Sequence, residues 1–523
     1  MTNQVEQVKA ALDPIDPEVE QRIRRYARDG YQSIDPEDLK VRFRWWGLYT
    51  QRPEAAGYFM MRIRVPGGAL TAEQLDTIGW ITRQRTRNLA DVTDRQNIQL
   101  HWVVIQDVPK IWDTLATVGL ATNQTCGDTV RNILGCPVAG ADANEVFDAT
   151  PDLRAAEARL ARTQEFSNLP RKYKLSITGC ADHCALHEIN DGGLVGVIHP
   201  DGREGYDVYV GGGLSSSPRF GERLGVFVPR AEAPPFLVAL TSLFRDHGGR
   251  DKRTRARLKF LVAAWGVEKL REVLEDDYLG HPLEDGPQAS PSASVHRDHV
   301  GVHRQKDGRF YVGVAPLVGR VSGDQLIEVA RIARELGSGQ VRLTTQQKLV
   351  VLGVPGDSVD EAVSRLKAIG LPADPSPFHR GAIACTGIQF CKLALVETKQ
   401  RAMDLVQALE ARYPDFDGKV RLNVNGCPNS CARYQIADLG LAGGESAGDG
   451  NYQLHLGGDL GEFKALGQRV RERVLADHSE ASLTSILDAY LDGRHDGESL
   501  QAWLRRQAPE TLAAISKPAL AGS

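Results

Sequence analysis

The chain has 523 residues, a formal net charge of −4, 42% hydrophobic and 25% charged residues. That is the balance of a soluble globular protein with more than one core, and it gives no sign of a nucleic-acid or membrane-surface partner. No apolar run approaches the ~18 residues of a membrane span. The polar start MTNQVEQVKAALDPIDPEVEQ lacks the basic-then-apolar order of a secretory signal, so a cytoplasmic protein is expected, and it is taken as a monomer.

The first predicted helix follows Leu70-Thr-Ala-Glu-Gln-Leu75. Thr71 and Gln74 have the spacing of a capping box, in which the hydroxyl and amide satisfy open backbone groups of the first turn. A strand is predicted next, with Ile98, Leu100, Trp102 and Val104 alternating with Gln99 and His101, and then a second helix ending near Gly119. At an offset of 251 residues the pattern recurs: Val321-Ser-Gly-Asp-Gln-Leu326, Thr344 for Thr93, Gln347 for Gln96, and Ile369-Gly-Leu371 for Val118-Gly-Leu120. Leu326, Val329, Ile332 and Leu336 fall on one helical stripe of the second copy. Each copy therefore reads as a β-α-β-α unit, and the two are expected to share one sheet. A second block is also duplicated. Leu175-Ser-Ile-Thr-Gly-Cys-Ala-Asp-His-Cys184 parallels Leu422-Asn-Val-Asn-Gly-Cys-Pro-Asn-Ser-Cys431, and Ile189-Asn-Asp191 parallels Ile436-Ala-Asp438. Between the halves runs the Pro/Ser-rich stretch 282–294, a linker.

Eight cysteines in tight groups suggest ligands rather than a disulfide framework. Cys385 and Cys391 form C-x5-C, and Cys427 and Cys431 form C-x3-C. Four thiolates in two pairs suit zinc or an iron–sulfur cluster; zinc pairs usually have shorter spacers at both ends. Small neighbours and backbone N–H groups around both pairs suit negatively charged sulfur. In the first half Cys126, Cys136, Cys180 and Cys184 run C-x9-C and C-x3-C. The departure at the first pair favours packing or cofactor contact over a second cluster.

The C-x5-C pair followed by N-G-C-P-N-S-C-A resembles the signature of the siroheme sulfite and nitrite reductases, and the resemblance covers nearly the whole chain. It implies an α+β fold, internally duplicated, with two ferredoxin-like half-domains plus two siroheme/iron–sulfur α/β domains. It also implies a [4Fe–4S] cluster on Cys385, Cys391, Cys427 and Cys431, the last also ligating the siroheme iron. The implied division is an N-terminal extension over 1–54, a ferredoxin-like half over 55–121 and a siroheme domain over 122–280. A linker over 281–299, a second ferredoxin-like half over 300–372 and a [4Fe–4S]/siroheme domain with C-terminal helices over 373–523 complete it.

Siroheme carries many carboxylates, and arginine's planar fork suits them. By the resemblance Arg95 and Arg171 bind those carboxylates, while Arg62, Arg131, Lys172 and Lys174 bind a small anion and feed it protons. The second half has Gly313 and Gln346 where the first has Arg62 and Arg95, so one half supplies the substrate cavity and the other the cluster. Tyr49 and Cys126 are also expected near that cavity, either as packing contacts or as an oxidatively formed thioether. Lys174 matches the sulfite-reducing branch, whereas plant-type nitrite reductases resemble Arg-Lys-Trp-Asn there.

The expected activity is therefore six-electron reduction of sulfite to sulfide, with nitrite reduction to ammonia as the alternative. A corrinoid-biosynthesis hydroxylase and a non-catalytic iron–sulfur carrier fit the basic residues less well. No G-x-G-x-x-G opens a helix, so electrons must come from another protein, by resemblance a ferredoxin. The basic run Arg250–Lys259 is either its docking face or an ordinary helix surface with some residues turned to the cofactor.

Overall fold

The computed structural model describes residues 3–290, 297–447 and 450–517. Part of the expected linker, 291–296, lies outside the described residues. The chain forms two compact units: one of residues 1–213, 219–314 and 320–373, the other of 214–218, 315–319 and 374–523.

The first unit contains both ferredoxin-like copies. The capping boxes at Thr71 and Ser322 are both formed and start the helices Ala72–Arg85 and Gly323–Leu336. The two helices pack closely because each offers a glycine at the crossing. A Cβ on Gly79 would meet Ile327 Cγ1 at 2.8 Å, and one on Gly323 would meet the Gly79 carbonyl at 2.4 Å. Each helix leads into a two-stranded hairpin, Ala90–Val92 with Ile98–Val104 and Gln340–Leu343 with Leu349–Val354, turned at Gln96 and Gln347 with φ of 54° and 60°.

Two expectations change here. The copies do not share one sheet; they form two five-stranded sheets that exchange edge strands. Arg320–Val321 of the second copy pairs with Ala90–Val92 of the first, and Ala69–Thr71 of the first pairs with Gln340–Leu343 of the second. The helix is also followed by a hairpin rather than a single strand. The alternation along Ile98–Val104 breaks at Trp102, whose φ of 60° shifts the register, so Val103 rather than Trp102 is in the core. Trp102 instead packs edge-on against Tyr58 and beneath the Arg87 guanidinium, 4.2 Å from the ring centre.

The same unit carries a second kind of sheet, ordered Glu284–Asp285, Glu222–Pro229, Glu204–Val210, Gly192–Ile198 and Leu175–Thr178, with only the last two parallel. Phe236, Leu240 and Leu243 of helix Ala233–His247 cover it. The second unit builds the matching sheet from Ala382–Ala384, Leu422–Asn425, Leu439–Gly443, Tyr452–Leu456 and Gln468–Val474, covered by helices Lys399–Arg412 and Ser479–Gly493. The loops after Leu175–Thr178 and Leu422–Asn425 repeat even their backbone turns. Positive φ occurs at His183 and Leu186 in one and at Ser430 and Arg433 in the other. These are the loops that carry the C-x3-C pairs.

Candidate active site

In the first unit, strand Tyr58–Ile63 buries every second residue and turns Arg62 away from the core. Gln99 Oε1 accepts from Arg62 Nε at 3.2 Å and Nη2 at 2.6 Å, while Nη1 donates to Cys126 Sγ at 2.9 Å. The Tyr49 phenol and the Cys126 thiol interact, so the pair expected near the cavity lies side by side. Burial and Cys126 push Tyr49 up to about 12, against the pull of Arg131 and Arg62.

Segment 129–131 runs parallel to 172–174: Val130 bridges Tyr173, and the Arg131 N–H donates to the Tyr173 carbonyl at 2.8 Å. Val130 and Tyr173 point into the core, Tyr173 stacked on Phe244. Arg131, Lys172 and Lys174, one residue away, are therefore carried on the opposite face and are half-buried. Arg131 is held by the Gly127 carbonyl at 2.8 Å from Nη2.

Arg95 Nη1 donates to Asn190 Oδ1 at 3.0 Å, but its Nε is buried without a hydrogen-bond partner. Arg171 reaches Asp128 at 3.4 Å, a carboxylate already held by both arms of Arg253 at 2.6 and 2.8 Å. Burial, with Arg131 and Arg257 among the neighbouring cations, pushes Arg95 down to about 9 and Arg171 down to about 10. Lys259, lowered by burial and Arg257, falls to about 8. Buried cations with too little countercharge suit a polycarboxylate ligand. The orphaned Arg95 Nε gives it a donor, so siroheme fits these residues.

Two of these cations lie in the run left open from the sequence between a docking face and a helix surface with some residues turned to the cofactor. Arg250 pairs with Glu6 at 2.9 Å, Arg253 with Asp128 and Arg257 with Asp191, and Lys259 donates to the Gly213 carbonyl at 3.2 Å. Only Lys252 and Arg255 of its basic residues are exposed. The run 250–259 is therefore not an open basic docking face. The helix starts at Leu258, and the residues before it wrap around buried carboxylates. The glycines of 211–213, next to which Arg257 and Lys259 lie, were the available hint.

In the second unit Cys385 follows strand Ala382–Ala384, and Cys427 and Cys431 lie in the loop after Leu422–Asn425. Thr398 Oγ1 donates to the Cys385 carbonyl at 2.6 Å. The Gly426 N–H donates to Cys385 Sγ at 3.1 Å and Asn429 Nδ2 to Cys427 Sγ at 3.5 Å. Cys385 and Cys427 both feel the charge of Cys391 and Cys431, and burial pushes them up to about 12 and about 11. The four sulfurs thus face one another electrostatically, yet among the described residues no three of them lie within 4.8 Å of one another. That spread suits thiolates on separate irons of a cluster better than one zinc ion. Cys431 is the exposed member.

These features define an oxidoreductase built on a duplicated cofactor fold. The model of the nitrite and sulphite reductase 4Fe-4S domain matches residues 126–283 and 376–513, and that of the nitrite/sulfite reductase ferredoxin-like half domain matches 51–118 and 303–369. The chain belongs to the nitrite and sulphite reductase family, whose cofactors are siroheme and a [4Fe–4S] cluster. It is 44% identical to sulfite reductase (ferredoxin) 1 of Mycolicibacterium paratuberculosis, over 98% of this chain and 96% of that one. It is 36% identical to the assimilatory ferredoxin-dependent nitrite reductase of Haloferax mediterranei, over 99% and 94%. The solved NirA protein of Mycobacterium tuberculosis superposes with a TM-score of 0.93 at 43% identity, covering 98% of this chain and 97% of that one. Among the described residues no helix is long and apolar enough to cross a membrane.

Proposed function

We propose that this chain reduces sulfite to sulfide by six electrons, taking them from a ferredoxin, as a monomer in the cytoplasm. The observation that carries the reading is the half-buried basic group Arg62, Arg131, Lys172 and Lys174 in a chain of this family. The names of its sulfite-reducing relatives support the substrate and the donor. Cys385, Cys391, Cys427 and Cys431 would hold the cluster, Cys431 would also ligate the siroheme iron, and Arg95 and Arg171 would hold siroheme carboxylates. The domain division is the one given from the sequence, with boundaries at 54, 121, 280, 299 and 372.

Siroheme and the cluster, when bound, would supply the redox path by which the donor's electrons reach the anion. The side chains handle charge and protons. Arg62, braced by Gln99, and Arg131, braced by Gly127, offset the charge of the bound anion as fixed cations. Lys172 and Lys174 hold transferable protons at Nζ, so electrons added to the substrate are matched without a build-up of charge. The contact between Tyr49 and Cys126 is compatible with a thioether as well as with packing, and peptide mapping that finds both residues only in unlinked peptides dismisses the crosslink.

Steady-state reduction with reduced methyl viologen, sulfite against nitrite, tests the reading. A higher kcat/KM for sulfite is expected, and a strong preference for nitrite overturns it. Nitrite is kept as the second reading because the Haloferax mediterranei relative bears that name.

A further inference from the structure

The first-half cysteines are arranged differently from what their spacing suggests. Cys126 belongs with Tyr49 and Arg62, while Cys136, Cys180 and Cys184 gather elsewhere in the same unit, fully buried. Their three sulfurs all lie within 4.8 Å of one another, with Cys180 and Cys184 3.7 Å apart. The Asp182 N–H donates to Cys180 Sγ at 3.3 Å, a contact that favours thiolate.

The internal duplication explains the grouping. Leu134 bridges Ser176 in parallel, as Ile383 pairs with Asn423, and Ser176 and Asn423 are equivalent in the repeated block. Two residues further along, Cys136 is therefore the counterpart of Cys385, just as Cys180 and Cys184 are those of Cys427 and Cys431. The counterpart of Cys391 is Asp142. Three cluster positions have kept their sulfur and the fourth has lost it, so a four-thiolate cluster is not available.

The sulfurs are also closer together than those of the second unit. Zinc–sulfur bonds of about 2.3 Å in a tetrahedron put sulfurs about 3.8 Å apart. The 3.7 Å between Cys180 and Cys184 matches that value, and Cys136 lies within 4.8 Å of both. A candidate for the fourth ligand lies beside this group of three, outside its 4.8 Å span. His299 is 1% exposed, both its ring nitrogens lack a hydrogen-bond partner, and it interacts electrostatically with Cys180. The nearby carboxylates are engaged: Arg297 pairs with Asp182 at 3.2 Å and with Asp142. That cation also offsets the single negative charge that three thiolates leave on a divalent ion.

We propose that Cys136, Cys180 and Cys184, with His299, bind one soft divalent ion, zinc. Binding replaces the three thiol protons, which pass to solvent, and involves no change of oxidation state. The ion would tie the loop at Cys136 and the turn at Cys180–Cys184 to the chain emerging from the linker at His299, a structural role.

The test is element-specific, so siroheme absorption does not obscure it. The holoenzyme is purified, dialysed against a chelator, and examined by metal analysis and zinc K-edge absorption. About one zinc per chain, with a shell of three sulfurs and one nitrogen, is expected. Cys180→Ser should lose that zinc with the iron content unchanged, and His299→Ala, which spares the thiolates, should release it faster to the chelator. Wild type without zinc, zinc retained in full by both variants, or extra iron with labile sulfide in its place overturns the proposal. So does a peptide 2 Da lighter that links two of the three cysteines. The wild-type spectrum decides alone if Cys180→Ser does not fold.

Discussion

Arg257 and Asp191 form a buried two-point ion pair, Nε to Oδ1 at 2.9 Å and Nη2 to Oδ2 at 2.8 Å, and Asp191 also accepts the Lys174 backbone N–H at 2.8 Å. The repeat solves the same problem differently. Asp438, the counterpart of Asp191, takes both the backbone N–H and the guanidinium of Arg421, which stands where Lys174 stands. In the first half an arginine from another segment supplies the fork, so the position before Leu175 can be a lysine. Removing one partner of a buried pair costs roughly 3–5 kcal/mol because the other charge is stranded. Arg257→Ala should therefore lower the melting temperature markedly, and Arg257→Lys by less. An unchanged melting curve for Arg257→Ala would mean that Asp191 does not need its partner.

Cys431→Ser should abolish sulfite reduction and disturb the siroheme spectrum, because the proposed role makes this thiolate common to both centres. Iron analysis of wild type gives the reference. One cluster and one siroheme amount to about five irons per chain, whereas a second four-iron cluster would raise the total to about nine. Full activity in Cys431→Ser would remove the assignment.

Much of this site was legible because its signals are local. Capping boxes at Thr71 and Ser322, the C-x5-C and C-x3-C pairs and the basic residues around Tyr173 all lie within a few residues of chain. The exchanged strands Ala69–Thr71 and Arg320–Val321 were not, since two or three residues carry no periodicity and their partners lie in the other copy. Trp102 misled because a bulge reverses alternation without leaving a mark in composition. Arg257 and Lys259 look like members of a solvated run until their acceptors, Asp191 and Gly213, are brought to them by the fold. The equivalence of Asp142 and Cys391 was hidden because a matching spacer ends in a different residue.

Lys259 gives a pH-dependent prediction. Its folded value of about 8 lies below the ordinary lysine value, so the folded state binds fewer protons than the unfolded chain between the two. The penalty for burying the ammonium is then fully present below about pH 8 and fades as pH rises toward about 10.4. In protein prepared without siroheme, Lys259→Met should be the more stable form at pH 7, and the advantage should shrink above pH 8. Melting curves across that range check it. A constant difference at every pH would show that the change acts through packing rather than charge.

The choice of substrate turns on Lys174. Its neighbour Tyr173 is buried and bridged to Val130, so the backbone that carries Lys174 is held in place beside Arg131. Sulfite carries more negative charge than nitrite and presents three oxygens, and an added ammonium favours it, while an amide suits the smaller, singly charged anion. A hydrogen bond to a charged group contributes about 1.5–3 kcal/mol, roughly ten- to a hundredfold in binding. That sets a preference without excluding nitrite. Wild type should reduce sulfite better and nitrite measurably, and Lys174→Asn should shift the ratio of kcat/KM values toward nitrite by about tenfold or more. Because the Lys174 N–H to Asp191 comes from the backbone, the substitution leaves that bond in place, and the melting temperature should change little. If Lys174→Asn kept the wild-type ratio while remaining folded, the ammonium would not be the discriminating group, and the preference would have to be sought at Arg62, Arg131 or Lys172.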